Sequence, residues 1–175
     1  MFSCAGERYT LAGMPDIVFL EVDQEDRAGV LEHFPEAMIR SEPLSAASVP
    51  EGCKDADVLC CFINSRFDKA ALGALPKLKL LCTRSVGYDH IDLDACAARG
   101  IVVCQVPDYG SHVIAEHVFA MLLSTVRHVP EGSRKVGDGT FDYHGLRGMA
   151  LKGKTMGIVG TGKIGRSVAR IAHGF

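Results

Sequence analysis

Five short apolar runs set the architecture of the chain up to Pro107: residues 16–22, 37–40, 57–63, 77–83 and 101–106. They are apolar throughout rather than alternating, the pattern of strands in a parallel sheet covered on both faces. Between them lie short stretches with helix signals. Asp23 can cap a helix over 24–34, Asp68 one over 69–75 that Pro76 stops, and Asp92 one over 93–99 with Gly100 past its end. Residues 41–54, with Pro43, Pro50 and Gly52, read as loop. Strands alternating with helices give an open α/β sheet of the flavodoxin-like kind.

The pattern changes after Pro107. Ser111 can cap a long helix over 113–129. Its apolar residues, among them Val113, Ile114, Val118, Phe119, Met121 and Leu122, surround most of the circumference, so it is expected to be buried on several sides. Residues 130–150 read as an irregular connection or a short helix. Residues 155–159 then read as a short buried strand, Gly160-Thr161-Gly162-Lys163-Ile164-Gly165 as G-x-G-x-x-G, and residues 163–172 as a helix.

A glycine turn between strand and helix suits a dinucleotide pyrophosphate. The first glycine permits the tight turn, the second lets backbone approach phosphate, and the third lets the helix pack on the strand. The helix start adds free N–H groups and partial positive charge. The alternative is a glycine-rich turn in some other α/β sheet. The acidic residue that bonds the ribose comes about 20 residues after the turn in such folds. That position lies beyond Phe175, so the sequence reads as the front part of a longer protein.

A second candidate site is the loop Arg84-Ser85-Val86-Gly87-Tyr88-Asp89-His90. It follows the carboxyl end of a strand, where open α/β sheets bind ligands. Successive N–H groups around Gly87 can form an anion nest. A plain strand-to-helix turn, with Gly87 needed only for positive φ, is the competing reading. His90 is either a general acid-base or a structural residue before the Asp92 cap. Glu116 and His117 are adjacent on the long helix and point in different directions, so they form no dyad; His117 reads as a core or interface histidine.

Composition excludes several classes. A formal net charge of -2 gives no electrostatic case for nucleic acid or anionic membrane. No apolar run approaches the roughly 18 residues of a membrane span, and the N-terminus has no signal-peptide pattern. The seven cysteines include no C-x-x-C pair, so zinc is not expected, and they read as buried free thiols of a reducing, cytoplasmic compartment.

Five ordered motifs carry a resemblance. They are Thr83-Arg84-Ser85-Val86-Gly87-Tyr88-Asp89-His90-Ile91-Asp92, Arg99-Gly100-Ile101-Val102-Val103, Val106-Pro107-Asp108-Tyr109, Ile114-Ala115-Glu116-His117 and Gly157-Ile158-Val159-Gly160-Thr161-Gly162-Lys163-Ile164-Gly165. Together they resemble the D-isomer-specific 2-hydroxyacid dehydrogenases, and within them the D-lactate dehydrogenase-like branch. The resemblance implies an oxidoreductase that interconverts a D-2-hydroxyacid and a 2-oxoacid with NAD(H). It implies an extension over 1–13 with Met14 as a natural start, a substrate domain over 14–108 lacking its C-terminal helix, and the truncated start of a Rossmann NAD-binding domain over 109–175.

For the sites, the resemblance implies that the N–H groups of Val86 and Gly87 hold the substrate carboxylate and that Tyr109 lies near substrate. Gly160, Thr161, Gly162, Lys163, Ile164 and Gly165 would meet the cofactor pyrophosphate. Helix 113–129 would take part in a homodimer. The family's catalytic arginine, glutamate and histidine belong to its later part, and no residue here takes their place. A dinucleotide-sensing, corepressor-like protein or a dimerisation partner of the same fold is the alternative.

Overall fold

The computed structural model describes residues 16–175. The proposed extension 1–13, Met14 as a start and Cys4 lie outside the described residues. The chain divides into two units, one running through Pro107 and the other from Asp108 to Phe175.

The first unit is a five-stranded parallel sheet. Its strands are β1 (Ile17–Phe19), β2 (Met38–Ile39), β3 (Val58–Cys61), β4 (Leu80–Thr83) and β5 (Val102–Gln105), in the order β2-β1-β3-β4-β5. This is the flavodoxin-like order with its switch point between β1 and β3. Register explains why the apolar runs do not alternate. Val18, Leu59, Leu81 and Val103 form one row across the sheet; Phe19, Cys60, Cys82 and Cys104 form the next, on the opposite face. The first row belongs to a core with Leu72, Leu75, Cys96 and Ile101; the second packs with Val22, Ile39, Val30 and Leu31. Both faces are covered, so both rows are apolar.

The helices of this unit are α1 (Gln24–His33), α2 (Lys69–Gly73) and α3 (Leu93–Ala98). The three expected caps form: Asp23 accepts from the Asp26 N–H at 3.0 Å, Asp68 from Ala71 at 2.8 Å and Asp92 from Ala95 at 2.9 Å. After α3, Gly100 takes φ +67°. The Gly100 N–H bonds the Ala97 carbonyl and the Ile101 N–H bonds that of Cys96, the paired closure of a Schellman motif. Strand β1 is shorter than the apolar run 16–22 because Glu21 takes φ +56° and turns the chain off the sheet.

Cys53, Cys60, Cys61, Cys82 and Cys96 are buried free thiols. Burial pushes Cys61 and Cys82 up to about 12, so they are inert as nucleophiles at neutral pH. Cys104 is disulfide-bonded, which corrects the expectation of a free thiol there. It sits on β5, the edge strand among the described residues.

The second unit contains α4 (Ser111–Val126), α5 (Val129–Gly137) and α6 (Lys163–His173). The expected single helix 113–129 ends early because His128 takes φ +53°, a left-handed conformation that breaks the helical run. Ser111 is inside α4 rather than capping it; its hydroxyl donates to Asp108 Oδ1 at 2.7 Å. Nor is α4 buried on several sides. Ala115 and Phe119 pack on Val168 of α6, while Val113, Ile114 and Met121 stay exposed.

The expected buried strand 155–159 does not form; these residues carry no ladder and Val159 is fully exposed. A strand is stabilised by neighbours that take its backbone hydrogen bonds, and among the described residues the second unit offers none. None of the described helices is long and apolar enough to cross a membrane, and the described residues contain no metal-binding cluster.

Candidate anion loop and glycine turn

The anion loop hangs from the carboxyl end of β4. Its entry continues the ladder: the Arg84 N–H bonds the Cys61 carbonyl and the Val106 N–H bonds the Ser85 carbonyl. The Arg84 guanidinium reaches across the sheet edge to the carbonyls of Leu20 (3.0 Å) and Glu21 (2.7 Å) and lies over the Phe62 ring. Thr83 and Ser85 are buried beneath the loop, with their hydroxyls 2.6 Å apart; the Ser85 hydroxyl donates to the Gly87 carbonyl at 2.7 Å.

Above this footing Val86 and Gly87 are exposed. Among the described residues their N–H groups have no acceptor. Gly87 does not lie at positive φ, which corrects the reading that backbone conformation demanded glycine there. An added Cβ would meet only Asp89 Oδ2, at an ordinary 3.7 Å. Neither φ nor neighbouring atoms require glycine at 87, whereas a ligand approaching the backbone would.

His90 turns inward. Its Nε2 lies 3.3 Å from Thr83 Oγ1 and 3.8 Å from Cys61 Sγ, which favours the structural reading over general acid-base chemistry. His117 and Glu116 are exposed, so His117 is no core residue.

Glu21 is a site residue that sequence reading missed. Its carboxylate accepts from the N–H groups of Phe62 (3.2 Å), Asn64 (2.7 Å) and Ser65 (2.9 Å), and from the Ser65 hydroxyl. Burial alone would push this carboxyl up. The Ser65 hydroxyl and the three N–H groups outweigh it and hold the group below its ordinary value of 4.5. Glu21 thus fills the nest at the switch point with the protein's own anion. No local signal marks it, since its partners lie more than forty positions away.

In the second unit the three glycines differ in backbone and surroundings. Gly160 takes φ +95°. Gly162 precedes α6 with no side-chain cap and has nothing within 4 Å of an added Cβ, so an anion has room to reach the backbone. At Gly165 a Cβ would collide with the backbone carbonyl of Gly160. The first helical bond of α6 runs from the Arg166 N–H to the Gly162 carbonyl at 3.0 Å, and among the described residues the N–H groups of Lys163, Ile164 and Gly165 have no acceptor. The Lys163 ammonium is held by Asp108 at 3.2 Å, so Lys163 can offer an anion its backbone N–H rather than its charge. Tyr109 is exposed at the head of this unit.

Residues 17–170 match the family profile described as D-isomer specific 2-hydroxyacid dehydrogenase, catalytic domain. The chain is 39% identical over 132 residues to a glyoxylate reductase of Pyrococcus furiosus, an alignment that takes in 71% of this chain and 39% of that enzyme. It is 34% identical over 131 residues to a D-lactate dehydrogenase of Escherichia coli, covering 74% of this chain and 39% of that one. Among solved structures, a D-lactate dehydrogenase from Aquifex aeolicus complexed with NAD and lactic acid superposes with a TM-score of 0.83 at 34% identity, over 91% of this chain and 48% of its own. The chain therefore spans less than half the length of these relatives. With a profile match that runs through both units, this chain belongs to the D-isomer-specific 2-hydroxyacid dehydrogenase family.

Proposed function

We propose that this chain supplies the substrate-carboxylate site and the pyrophosphate turn of an NAD-dependent D-2-hydroxyacid dehydrogenase. The observation that carries the reading is the loop at 86–87. Two N–H groups without an acceptor among the described residues stand on an exposed turn, one of them on a glycine that neither φ nor packing requires. Such a pair suits one end of a small carboxylate, which leaves the neighbouring carbonyl or hydroxyl carbon free to react.

The residues of the glycine turn fit a dinucleotide. Gly160 makes the turn, Gly162 leaves room for phosphate, and the N–H groups of Lys163, Ile164 and Gly165 would hold it beside Thr161. A bound dinucleotide would supply hydride chemistry at the substrate carbon. Tyr109 is retained as a substrate neighbour on the family resemblance alone. The proton donor and the group that polarises the carbonyl are assigned to no residue of this chain. The exposed Val113, Ile114 and Met121 of α4 favour a homodimer over that helix.

The test is NADH oxidation by the product of the full reading frame, with glyoxylate and pyruvate as 2-oxoacids and acetone as the control without a carboxylate. Turnover is expected with the acids alone. Gly87→Ala should leave thermal stability within a few degrees of wild type, since the added methyl meets no crowding. It should raise KM for the acid by about tenfold, the scale of one misplaced charge-assisted hydrogen bond. Absence of turnover with any small 2-oxoacid would reject the reading in favour of a dinucleotide-sensing protein.

A further inference from the structure

The hydroxyls beneath the anion loop form a chain whose proton direction is fixed by chemistry. The Gly87 carbonyl can only accept, so the single Ser85 hydroxyl proton is committed to it at 2.7 Å. Ser85 Oγ, 2.6 Å from Thr83 Oγ1, must then accept from the Thr83 hydroxyl. Thr83 Oγ1 has spent its own proton and faces His90 Nε2 at 3.3 Å, with Cys61 Sγ 3.8 Å from the same nitrogen, so the bond to Thr83 forms only in the Nε2–H tautomer. The order is His90 Nε2–H to Thr83, Thr83 to Ser85, and Ser85 to the Gly87 carbonyl. Thr83 is fully buried and Ser85 nearly so. Bulk water therefore does not compete for these bonds, and a missing member would leave a buried polar atom unpaired.

The chain ends on a carbonyl, and that peptide has a second end. A trans peptide places the Tyr88 N–H opposite the Gly87 C=O. With the carbonyl pulled toward buried Ser85, the Tyr88 N–H is turned away from the loop's footing. Among the described residues it has no acceptor, like the N–H groups of Val86 and Gly87.

We propose that Thr83 and Ser85 are positioning residues that aim the anion loop, and that the Tyr88 N–H they aim is a third donor to the substrate carboxylate. The inference rests on the substrate reading of the loop above. It adds to that reading which side chains preorganise the site and which further amide takes part. Preorganised donors gain affinity because their ordering cost is met in folding rather than in binding.

The test is a titration of the ¹⁵N-labelled 175-residue chain with pyruvate, followed by amide shifts, with acetone as the uncharged control. The amides of Val86, Gly87 and Tyr88 should shift together with pyruvate and stay still with acetone. Ser85→Ala should weaken the pyruvate response about tenfold while the amides of Gly160 to Gly165 keep their wild-type positions, and Ser85→Thr should restore it. If Ser85→Ala does not fold, Thr83→Val and Thr83→Ser carry the same comparison, since only the second keeps the hydroxyl. The His90 ring should show the Nε2–H tautomer in wild type and lose that bias in Thr83→Val. Wild-type pyruvate affinity in a folded Ser85→Ala or Thr83→Val chain would overturn the positioning role while leaving the substrate reading intact. Shifts at Val86 and Gly87 without Tyr88 would remove the third donor. No pyruvate-specific shift in wild type would reject both inferences together.

Discussion

Glu21 shows how much a single residue can decide. It accepts a left-handed φ, a strained conformation for a side chain of its size, and in return its carboxylate collects the N–H groups of the 62–65 segment. Its backbone carbonyl also takes one arm of Arg84, so the loops after β1, β3 and β4 are tied through one residue. The pH dependence follows from the depressed carboxyl. A group whose folded-state pKa lies below the unfolded value stabilises the fold at higher pH and loses that contribution as pH falls through the folded pKa. Glu21→Gln, which puts an amide where the N–H donors converge, should cost on the order of 1–3 kcal/mol at pH 7. The difference from wild type should begin to shrink as pH drops below about 4.5, where the unfolded carboxyl takes up its proton, and should vanish only once pH falls through the lower folded-state pKa. Urea unfolding of the two proteins at pH 7 and pH 3.5 reads this directly; a difference that stays constant with pH would show that the charge contributes nothing.

At the scale of elements, α6 depends on the residue that is absent from Gly165. Its missing Cβ lets the first turn of the helix sit against the Gly160 carbonyl and Ile158. Val168, Ile171 and Ala172 of the same helix then pack with Ala115 and Phe119 of α4. A methyl at 165 forces backbone apart, where no flexible side chain can yield. Gly165→Ala should therefore destabilise the second unit by about 1–3 kcal/mol, as overpacking does. Gly162→Ala, placed in open space, should not. Amide shifts of residues 158–172 and the thermal midpoint of each variant check this ordering, and equal effects of the two substitutions would contradict it.

For the whole molecule, the second unit decides what the 175-residue chain can bind. It has the pyrophosphate turn but no sheet on which to set it: residues 155–159 form no strand and Val159 is exposed. Contacts to phosphate alone leave the adenine, both riboses and the nicotinamide to solvent. The chain expressed by itself should bind NADH with a Kd of about 1 mM or weaker, near -4 kcal/mol. It should also give no NADH oxidation with pyruvate. Fluorescence or calorimetric titration measures the first; micromolar binding would mean that the contacts of the glycine turn suffice.

The sequence by itself determined the parallel sheet, because wholly apolar strands and Asp-capped helices are local, repeated signals that one register satisfies. It also marked the glycine turn, where Gly160 at positive φ and Gly165 against the Gly160 carbonyl carry separate and local steric requirements. The end of α4 was less legible: the apolar pattern runs on past Val126, and only the left-handed turn at His128 stops it. The strand expected at 155–159 failed for the complementary reason, since apolar residues specify a strand only when neighbours exist to pair with it. Tertiary structure alone decided that Glu21 fills the switch-point nest and that Arg84 ties two strand ends. It alone also decided that Thr83, Ser85 and His90 line up under Gly87. Those bonds join groups distant in sequence or depend on which face of a loop is buried, and a linear pattern of residue types encodes neither.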